Sequence, residues 1–328
     1  MILDVTRHKF SEALLTLIFF AVVISMAAIF VFPEVSNVIG GAEAPLAPFI
    51  NSFRSSHPTM SGLLLGLIYI YIVLRISRST VRVGLYPAVT LAAIPISSVV
   101  LFGSLYSDGY AILAFSALLV AEAYGRLLYC FSPSVRPHYL FSAMVAFGAM
   151  PLIDTAFVPF SLVIPFIVIV ERRTLREIVL ILFGLSLPSF VYCYLSWLGG
   201  ANFVECFMDM WAEYMVSSHL SLAAYLTLPR LVFLGVVLFL QLLTSVVYVT
   251  MPLSINAGVR DVWRMLQLSM VVLLVSLLLL PASSPALIVA MTLLSSIMLP
   301  LLFQYASLAQ SVLAFILLIV ATFAPIVW

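Results

Sequence analysis

Charge is scarce in this chain, because Asp, Glu, Lys and Arg together make up only 8% of its 328 residues. A soluble globular domain is about one quarter charged and roughly half apolar, whereas this chain is 64% hydrophobic and has a mean hydropathy of +1.25. Almost no residues remain for a soluble domain, which excludes an ordinary cytosolic enzyme. The composition predicts an integral membrane protein in contact with the lipid bilayer. The net charge of +1 gives no indication of a nucleic acid partner, and no basic stripe with interleaved aromatics suggests one, so we expect none.

Cysteine and histidine are also few. The three cysteines, Cys130, Cys193 and Cys206, and the four histidines are scattered, with no H-x-x-x-H or carboxylate-plus-histidine run. This spacing predicts neither a metal centre nor a redox motif. We interpret the cysteines as packing residues, because a thiol in an apolar helix behaves as a small hydrophobic group.

Long apolar segments are abundant, and a spanning helix needs about 20 such residues. The segments lie near residues 13–32, 58–76, 85–102, 110–131, twice within 139–170, and near 178–198, 231–250, 266–280, 286–303 and 306–326. We predict an all-α, polytopic transmembrane helical bundle of about eleven spans, forming one integral membrane domain over residues 1–328. Ten spans is the alternative, because the last three segments carry no charges that test the count. We expect the first segment to be retained as an anchor rather than cleaved as a signal peptide.

Basic residues divide unequally between the two sides of this path. Twelve of the fourteen fall in segments on the side of the amino terminus, and only Arg54 and Arg230 fall on the other. Lys and Arg in short loops stay in the cytoplasm, so we predict a cytoplasmic amino terminus. In the segment 203–215, large apolar residues recur at steps of three and four, namely Phe203, Phe207, Met210, Trp211 and Tyr214. This spacing predicts one interfacial helix with its apolar face in lipid and its acidic face in water.

Seven of the thirteen acidic residues fall on the predicted external side, in separate loops. They are Glu34, Glu43, Asp108, Asp154, Glu205, Asp209 and Glu213. We expect Asp154 to lie in the external turn that joins two helices of a hairpin. Carboxylates from different loops can act as a general base or hold a divalent cation, and such a cation is the one cofactor candidate. The alternative is that the external loops are acidic only because basic residues are kept inside.

Glu122 is an ionisable residue inside a predicted span, and such residues suggest function by default. Arg126 follows four residues later, which is the helical spacing of a favourable ion pair. We therefore predict a structural ion pair between Glu122 and Arg126 near the cytoplasmic interface, with a proton site as the alternative.

Two segments of the chain resemble known membrane protein families. The first, which contains Asp108, is YSDGYAILAFSALLVAEAYGRLLY, and the second is FGAMPLIDTAFVPFSLVIPFIVIVERRTLREIVLILFGLSLPSFVYCYLSW. The glycine and proline hairpin, the basic turn 172–177, then Gly184 and Pro188, resemble a family of multi-spanning inner-membrane proteins of diderm bacteria. The same order over residues 34–200 is loosely similar to the membrane core of polyprenyl-phosphate-dependent glycosyltransferases of the C superfamily. The resemblance implies a multi-pass protein of the bacterial inner membrane, with 228–328 as additional helices.

The second resemblance also implies roles for individual residues. Glu43 would match the first-loop acid that acts as base or metal ligand, with Glu34 as its substitute, and Asp108 would match the second external acid. Arg172, Arg173 and Trp197 would match structural landmarks. Two features depart from the pattern: the first loop has no paired acids, and Asp154 stands where such enzymes often place a lysine.

Three functional hypotheses follow. The first is transfer of a glycosyl group from a polyprenyl-phosphate lipid on the outer side, in a role in envelope biogenesis. Arg54 and Arg230 are then the candidates to bind the substrate phosphate, although both also fit snorkelling interface anchors. The second is a non-catalytic subunit that packs against a membrane protein partner in an envelope complex. A transporter has the least support, because few polar residues line the spans.

Overall fold

The computed structural model describes residues 44–86, 92–105, 110–131, 137–170, 174–215, 226–250, 257–279 and 284–327, which are almost entirely helical. The helices are α1 (Ala47–Ser56), α2 (Pro58–Val83), α3 (Ala93–Leu105), α4 (Tyr110–Cys130), α5 (Pro137–Ile153), α6 (Val158–Val170), α7 (Leu175–Leu198), α8 (Phe203–Met215), α9 (Leu228–Thr250), α10 (Ala257–Leu279), α11 (Pro285–Met298), α12 (Pro300–Tyr305) and α13 (Leu308–Val327). A short 3-10 helix, Thr155–Phe157, joins α5 to α6.

Six helical segments in the described ranges are long and apolar enough to cross a membrane. They comprise α2, α4, α7, α9, α10 and the continuous α11–α12 segment, and four shorter apolar helices lie in α3, α5, α6 and α13. The predicted multi-pass helical bundle is therefore confirmed in outline. The count of eleven spans and the cytoplasmic amino terminus stay predictions, since the first apolar segment, 13–32, lies outside the described residues.

Successive helices run back and forth between two ends of the bundle. At one end, which we call the arginine-rich end, the exposed arginines gather, namely Arg78, Arg82, Arg176, Arg260 and Arg264. The Tyr86 hydroxyl donates to the Ile297 carbonyl at 2.6 Å and the Trp263 indole to the Leu85 carbonyl at 3.2 Å, tying distant helices together there.

We call the opposite end the Asp154 end. There the Leu46 N–H donates to the Leu152 carbonyl at 2.9 Å, and the rings of Phe102 and Phe323 are 5.7 Å apart. Each contact joins segments far apart in the sequence, so this end is fixed by tertiary packing.

Helix α11 lies at the centre of the bundle. Every one of its side chains is buried, and it packs against α3, α4, α9 and α10. Its polar side chains are satisfied within the helix, because Thr292, Ser295 and Ser296 donate to carbonyls three or four residues earlier. Helices from the two predicted parts, 34–200 and 228–328, thus share one core.

Helices α5 and α7 approach closely at two glycines. A Cβ atom on Gly148 would lie 2.2 Å from the Leu185 carbonyl oxygen, and one on Gly184 would lie 2.8 Å from the Met144 Cβ. Small residues allow membrane helices to pack backbone to backbone. At the start of α7, Thr174 and Glu177 form a capping box, with each side chain accepting the other's backbone N–H.

One helix boundary and the burial of one helix face differ from expectation. The segment NAGVRDVWRMLQ was predicted as a loop with the helix starting near 266, but α10 begins at Ala257, because buried Trp263 and Leu266 anchor these first turns to the core. Helix α8 matches the predicted 203–215, but its apolar face is not wholly in lipid. Met210 is buried against Leu152 and Cys193.

Candidate functional site

The predicted site residues divide into two sets. Glu34, Glu43 and Asp108, together with the landmarks Arg172 and Arg173, lie outside the described residues. The structure describes Asp154, Arg54, Arg230, Glu122 and Arg126.

Asp154 lies in the turn that joins α5 to α6 and is only 4% exposed. Its carboxylate accepts a hydrogen bond from the Ala156 N–H at 2.9 Å, capping the 3-10 helix. It accepts a second from the hydroxyl of Ser284, which is itself fully buried and caps α11. It is buried because the turn between α5 and α6 is held against the start of the central helix, and the side of the membrane on which it lies stays a prediction. Asp154 thereby joins two helix starts that are 130 residues apart in sequence.

Three segments that flank predicted acids meet at the Asp154 end. Ala44, Ile112 and Ile153 pack together in one buried cluster with Ala47. Ala44 follows Glu43 in the sequence, Ile112 follows Asp108 by four residues, and Ile153 precedes Asp154. The cluster therefore joins the chain beside the first external loop, the start of α4 and the turn that carries Asp154.

An apolar cavity of about 190 Å³ adjoins this cluster. It lies between α1, α2 and α4, with Phe49, Ile50 and Phe53 on one wall and Leu65 and Phe115 on others. Ile50 and Phe115 also contact the buried cluster. Because its lining is almost wholly apolar and Phe49 is 70% exposed, the cavity suits part of a hydrocarbon chain entering from lipid.

The two candidate phosphate-binding arginines are carried by different helices. Arg54 lies in the last turn of α1, which packs on α2 and α4, whereas Arg230 lies in the first turn of α9, which packs on α11 to α13. Both are half-buried and both engage in polar interactions within the protein. Partial burial with the charge at a helix end is compatible with either a phosphate-binding role or a snorkelling anchor.

The predicted ion pair between Glu122 and Arg126 is confirmed and is part of a larger group, which we call the Glu122 cluster: Tyr71, Arg75, Glu122 and Arg126. Arg126 Nη2 lies 2.8 Å from Glu122 Oε2, and Arg75 Nε lies 2.9 Å from Glu122 Oε1. The Tyr71 hydroxyl donates to the same Oε1. Arg126 Nη1 also donates to the Ser142 carbonyl of α5 at 3.4 Å.

Arg75 and Tyr71 were missed because they belong to another helix. Their spacing of four residues on α2 places both on one helical face, which is a sequence pattern that could have suggested them, but nothing in it identifies Glu122 as their partner. Gly125 makes the contact fit, since a Cβ there would lie 3.2 Å from the Arg75 guanidinium. Ser284 was also missed, although Ser followed by Pro285 is typical of a helix start.

Helix α8 carries three acids at the Asp154 end, Glu205, Asp209 and Glu213. Partial burial, and then the charge of Asp209 one turn away, raise the pKa of Glu213 above its usual range. On the inner face of α8, Cys206 packs in the same small cluster as the buried Cys193 of α7, so the cysteines serve in packing here, and both are free thiols.

Within the ranges that the structure covers, no three His, Cys, Asp or Glu side chains are placed to hold a metal ion. Chemically, the Asp154 end offers a buried hydrogen-bond acceptor and an apolar cavity, and the other end offers the Glu122 cluster. No family model, no curated protein and no solved structure matches the chain.

Proposed function

We propose that this multi-pass membrane protein acts in bacterial envelope biogenesis and transfers a glycosyl group from a polyprenyl-phosphate carrier on the outer side of the inner membrane. The observation that supports this is the meeting of Ala44, Ile112 and Ile153 in one buried cluster. These residues flank Glu43, Asp108 and Asp154 in sequence. Acids contributed by separate loops are what a general base or cation site requires.

The adjoining cavity supports a lipid-linked donor. Its apolar lining of Phe49, Phe53 and Leu65 fits isoprenoid units. In the proposed reaction an acceptor hydroxyl attacks the anomeric carbon, the bond from that carbon to the phosphate oxygen breaks, and polyprenyl phosphate leaves. Glu43 takes the hydroxyl proton, with Glu34 as its substitute, and Asp108 supports it directly or through a divalent cation. Arg54, on the helix that lines the cavity, stabilises the leaving phosphate.

The test replaces Glu43 with Gln and Asp108 with Asn in the chromosomal copy, with Glu205→Gln, an exposed acid of α8, as the matched control. If either acid acts in catalysis, we expect loss of one envelope glycan and accumulation of its lipid-linked precursor, since removing a general base costs on the order of 10²–10⁴ in rate. The precursor would be detected by mass spectrometry of extracted lipids. Normal glycans and normal lipid-linked pools in both variants, with protein levels unchanged, would exclude the enzymatic proposal.

The alternative is a non-catalytic subunit of an envelope complex, and the exposure of α7 favours it. Only 17% of the most apolar part of α7 is buried in this chain, against all of α11. Large side chains such as Phe183, Phe190 and Trp197 are more than half exposed on it. A protein that copurifies at fixed stoichiometry, and is lost when Phe183 and Phe190 are replaced by Ala, would support this alternative over catalysis.

A further inference from the structure

The Glu122 cluster carries more positive than negative charge. The described residues between 58 and 153 form α2 to α5. Their charged side chains are Arg75, Arg78, Arg82, Glu122 and Arg126, and Asp154 lies beyond the end of α5. Glu122 is thus the one acid on these helices, against four arginines. Both of its oxygens are already engaged by Arg75 and Arg126. The Glu122 cluster, with two arginines and one carboxylate, therefore has a net charge of at least +1, and the described residues of α2 to α5 hold no further acid to neutralise it.

This charge lies within the span rather than beyond it. Helix α2 has 26 residues, so it is about 39 Å long, against a hydrocarbon core of about 30 Å. Arg75 and Glu122 each lie eight residues before the last residue of their helix, which is about 12 Å along the axis. For a centred helix this places Arg75 roughly 7–8 Å inside the hydrocarbon boundary, and Glu122, on the 21-residue α4, roughly 11 Å inside it. A net cation at that depth is costly without an anion or water beside it.

The cluster is also open to the bilayer. Arg126 is 35% exposed, Tyr71 is 47% exposed, and Arg78 is exposed one turn further towards the helix end. Leu118 and Leu119, two partly buried side chains of α4, lie about one turn from Glu122 towards the bilayer centre. The surface therefore combines a cationic head with an apolar strip of the kind that an acyl chain covers.

We propose that Arg75, Arg78 and Arg126 bind the phosphate of an anionic phospholipid from the leaflet at the arginine-rich end, with an acyl chain lying along Leu118 and Leu119. Guanidinium groups suit this role because their planar donors match phosphate oxygens. Basic pockets between spanning helices bind anionic headgroups in this way. Glu122 holds two of the arginines in place, and the proposal is independent of any catalytic role at the other end.

The binding test uses the full chain purified in a non-ionic detergent and titrated with phosphatidylglycerol, phosphatidylcholine or inorganic phosphate, with bound lipid counted by native mass spectrometry. We expect saturable binding of phosphatidylglycerol and markedly weaker binding of phosphatidylcholine. Arg126→Gln and Arg78→Gln should each weaken phosphatidylglycerol binding about fivefold. Arg264→Gln is the matched control, an exposed arginine of α10 at the same end, and it should bind like the parent chain.

A second variant separates lipid binding from a purely structural ion pair. Glu122→Gln keeps an amide oxygen that can accept a hydrogen bond from the arginines but removes the negative charge that competes with phosphate, so the variant should bind phosphatidylglycerol at least as tightly as the parent chain. Reduced binding in Glu122→Gln with its helical content preserved would contradict this arrangement, and unchanged binding in Arg126→Gln and Arg78→Gln would overturn the site.

The remaining outcomes also decide the source of the anion. Displacement of the lipid by millimolar inorganic phosphate would assign the site to the free ion and overturn the lipid proposal. Equal binding of phosphatidylcholine and phosphatidylglycerol would do the same, since charge would then play no part. A copurifying protein lost in Arg126→Gln, with lipid binding unaffected, would replace the lipid with an acidic partner side chain.

Discussion

Asp154 and Glu122 are carboxylates enclosed by the same bundle, at opposite ends, and they are stabilised in different ways. Asp154 accepts hydrogen bonds from neutral donors, the Ala156 N–H and the Ser284 hydroxyl. Glu122 is held by two guanidinium groups and a phenol. The first arrangement ties together two helix starts, and the second ties together three helices, since Arg126 also reaches α5.

The difference shows how the cost of enclosing a carboxylate is offset. Neutral donors at helix starts add no charge, so Asp154 can be buried almost completely. Cations compensate Glu122 more strongly but bring surplus charge of their own, so that cluster stays partly exposed. Burial at one end and openness at the other are thus consequences of the donor type.

The largest effect is expected from Asp154→Ala. This variant leaves two buried donors, Ala156 N–H and Ser284 Oγ, without their carboxylate, and each costs about 1–3 kcal/mol. We expect a loss of about 3 kcal/mol in unfolding free energy, measured by denaturant titration in micelles. Asp209→Ala on exposed α8 is the control and should cost under about 0.5 kcal/mol. A loss as small as that in Asp154→Ala would mean that the Asp154 contacts do not hold the bundle together.

Glu122→Gln should have the next largest effect, a loss of about 2 kcal/mol in unfolding free energy. It leaves Arg75 and Arg126 facing one another without a counter-charge, and the full cost of a broken buried pair, about 3–5 kcal/mol, is reduced by the exposure of Arg126. The same titration gives the value, with Glu205→Gln as the control. Equal stability of the two variants would show that the cluster is solvated like a surface pair.

Arg75→Lys should lower the unfolding free energy by about 1 kcal/mol, because lysine keeps the charge but lacks the planar guanidinium group that contacts both Glu122 and Ser79. Arg82→Lys, exposed in the last turn of α2, is the control and should be neutral. If the two lysine variants were equally stable, charge alone, rather than geometry, would account for the Arg75 interaction.

Glu213 is a half-buried carboxylate that extends the comparison. Burial is the first cause of its raised pKa, and the neighbouring negative charge of Asp209 is the second. The folded state therefore binds its proton more tightly than the unfolded state, so the contribution of Glu213 to stability rises as pH falls through its folded pKa and declines at neutral pH. Glu213→Gln should stabilise α8 at pH 7 by about 0.3 kcal/mol. Hydrogen exchange of α8 would measure this, and in the variant the protection should lose the dependence on pH that Glu213 gives it above the ordinary pKa of a glutamate.

The Glu122 and Arg126 pair could be predicted because both residues lie on one helix, where a spacing of four places side chains together. Arg75, Tyr71 and Ser284 could not be assigned as partners, because contacts between residues 47 or 130 positions apart depend on how helices pack. The burial of Asp154 could not be predicted for the same reason. A short polar interruption between apolar segments looks the same in sequence whether the turn is exposed or covered by another helix.

The order and approximate limits of the apolar helices, and the separation of arginines from most acids, were determined by composition and spacing along the chain. Both are local properties: apolar length decides which segments enter a bilayer, and loop charge decides which end stays inside. Tertiary structure alone decided which helix became the buried centre and which carboxylates gained partners. Helix α7 and the α11–α12 segment are both long and apolar enough to cross a membrane, and the packing of neighbours around α11, with Ser284 meeting Asp154 at its start, makes it a core helix while α7 stays exposed.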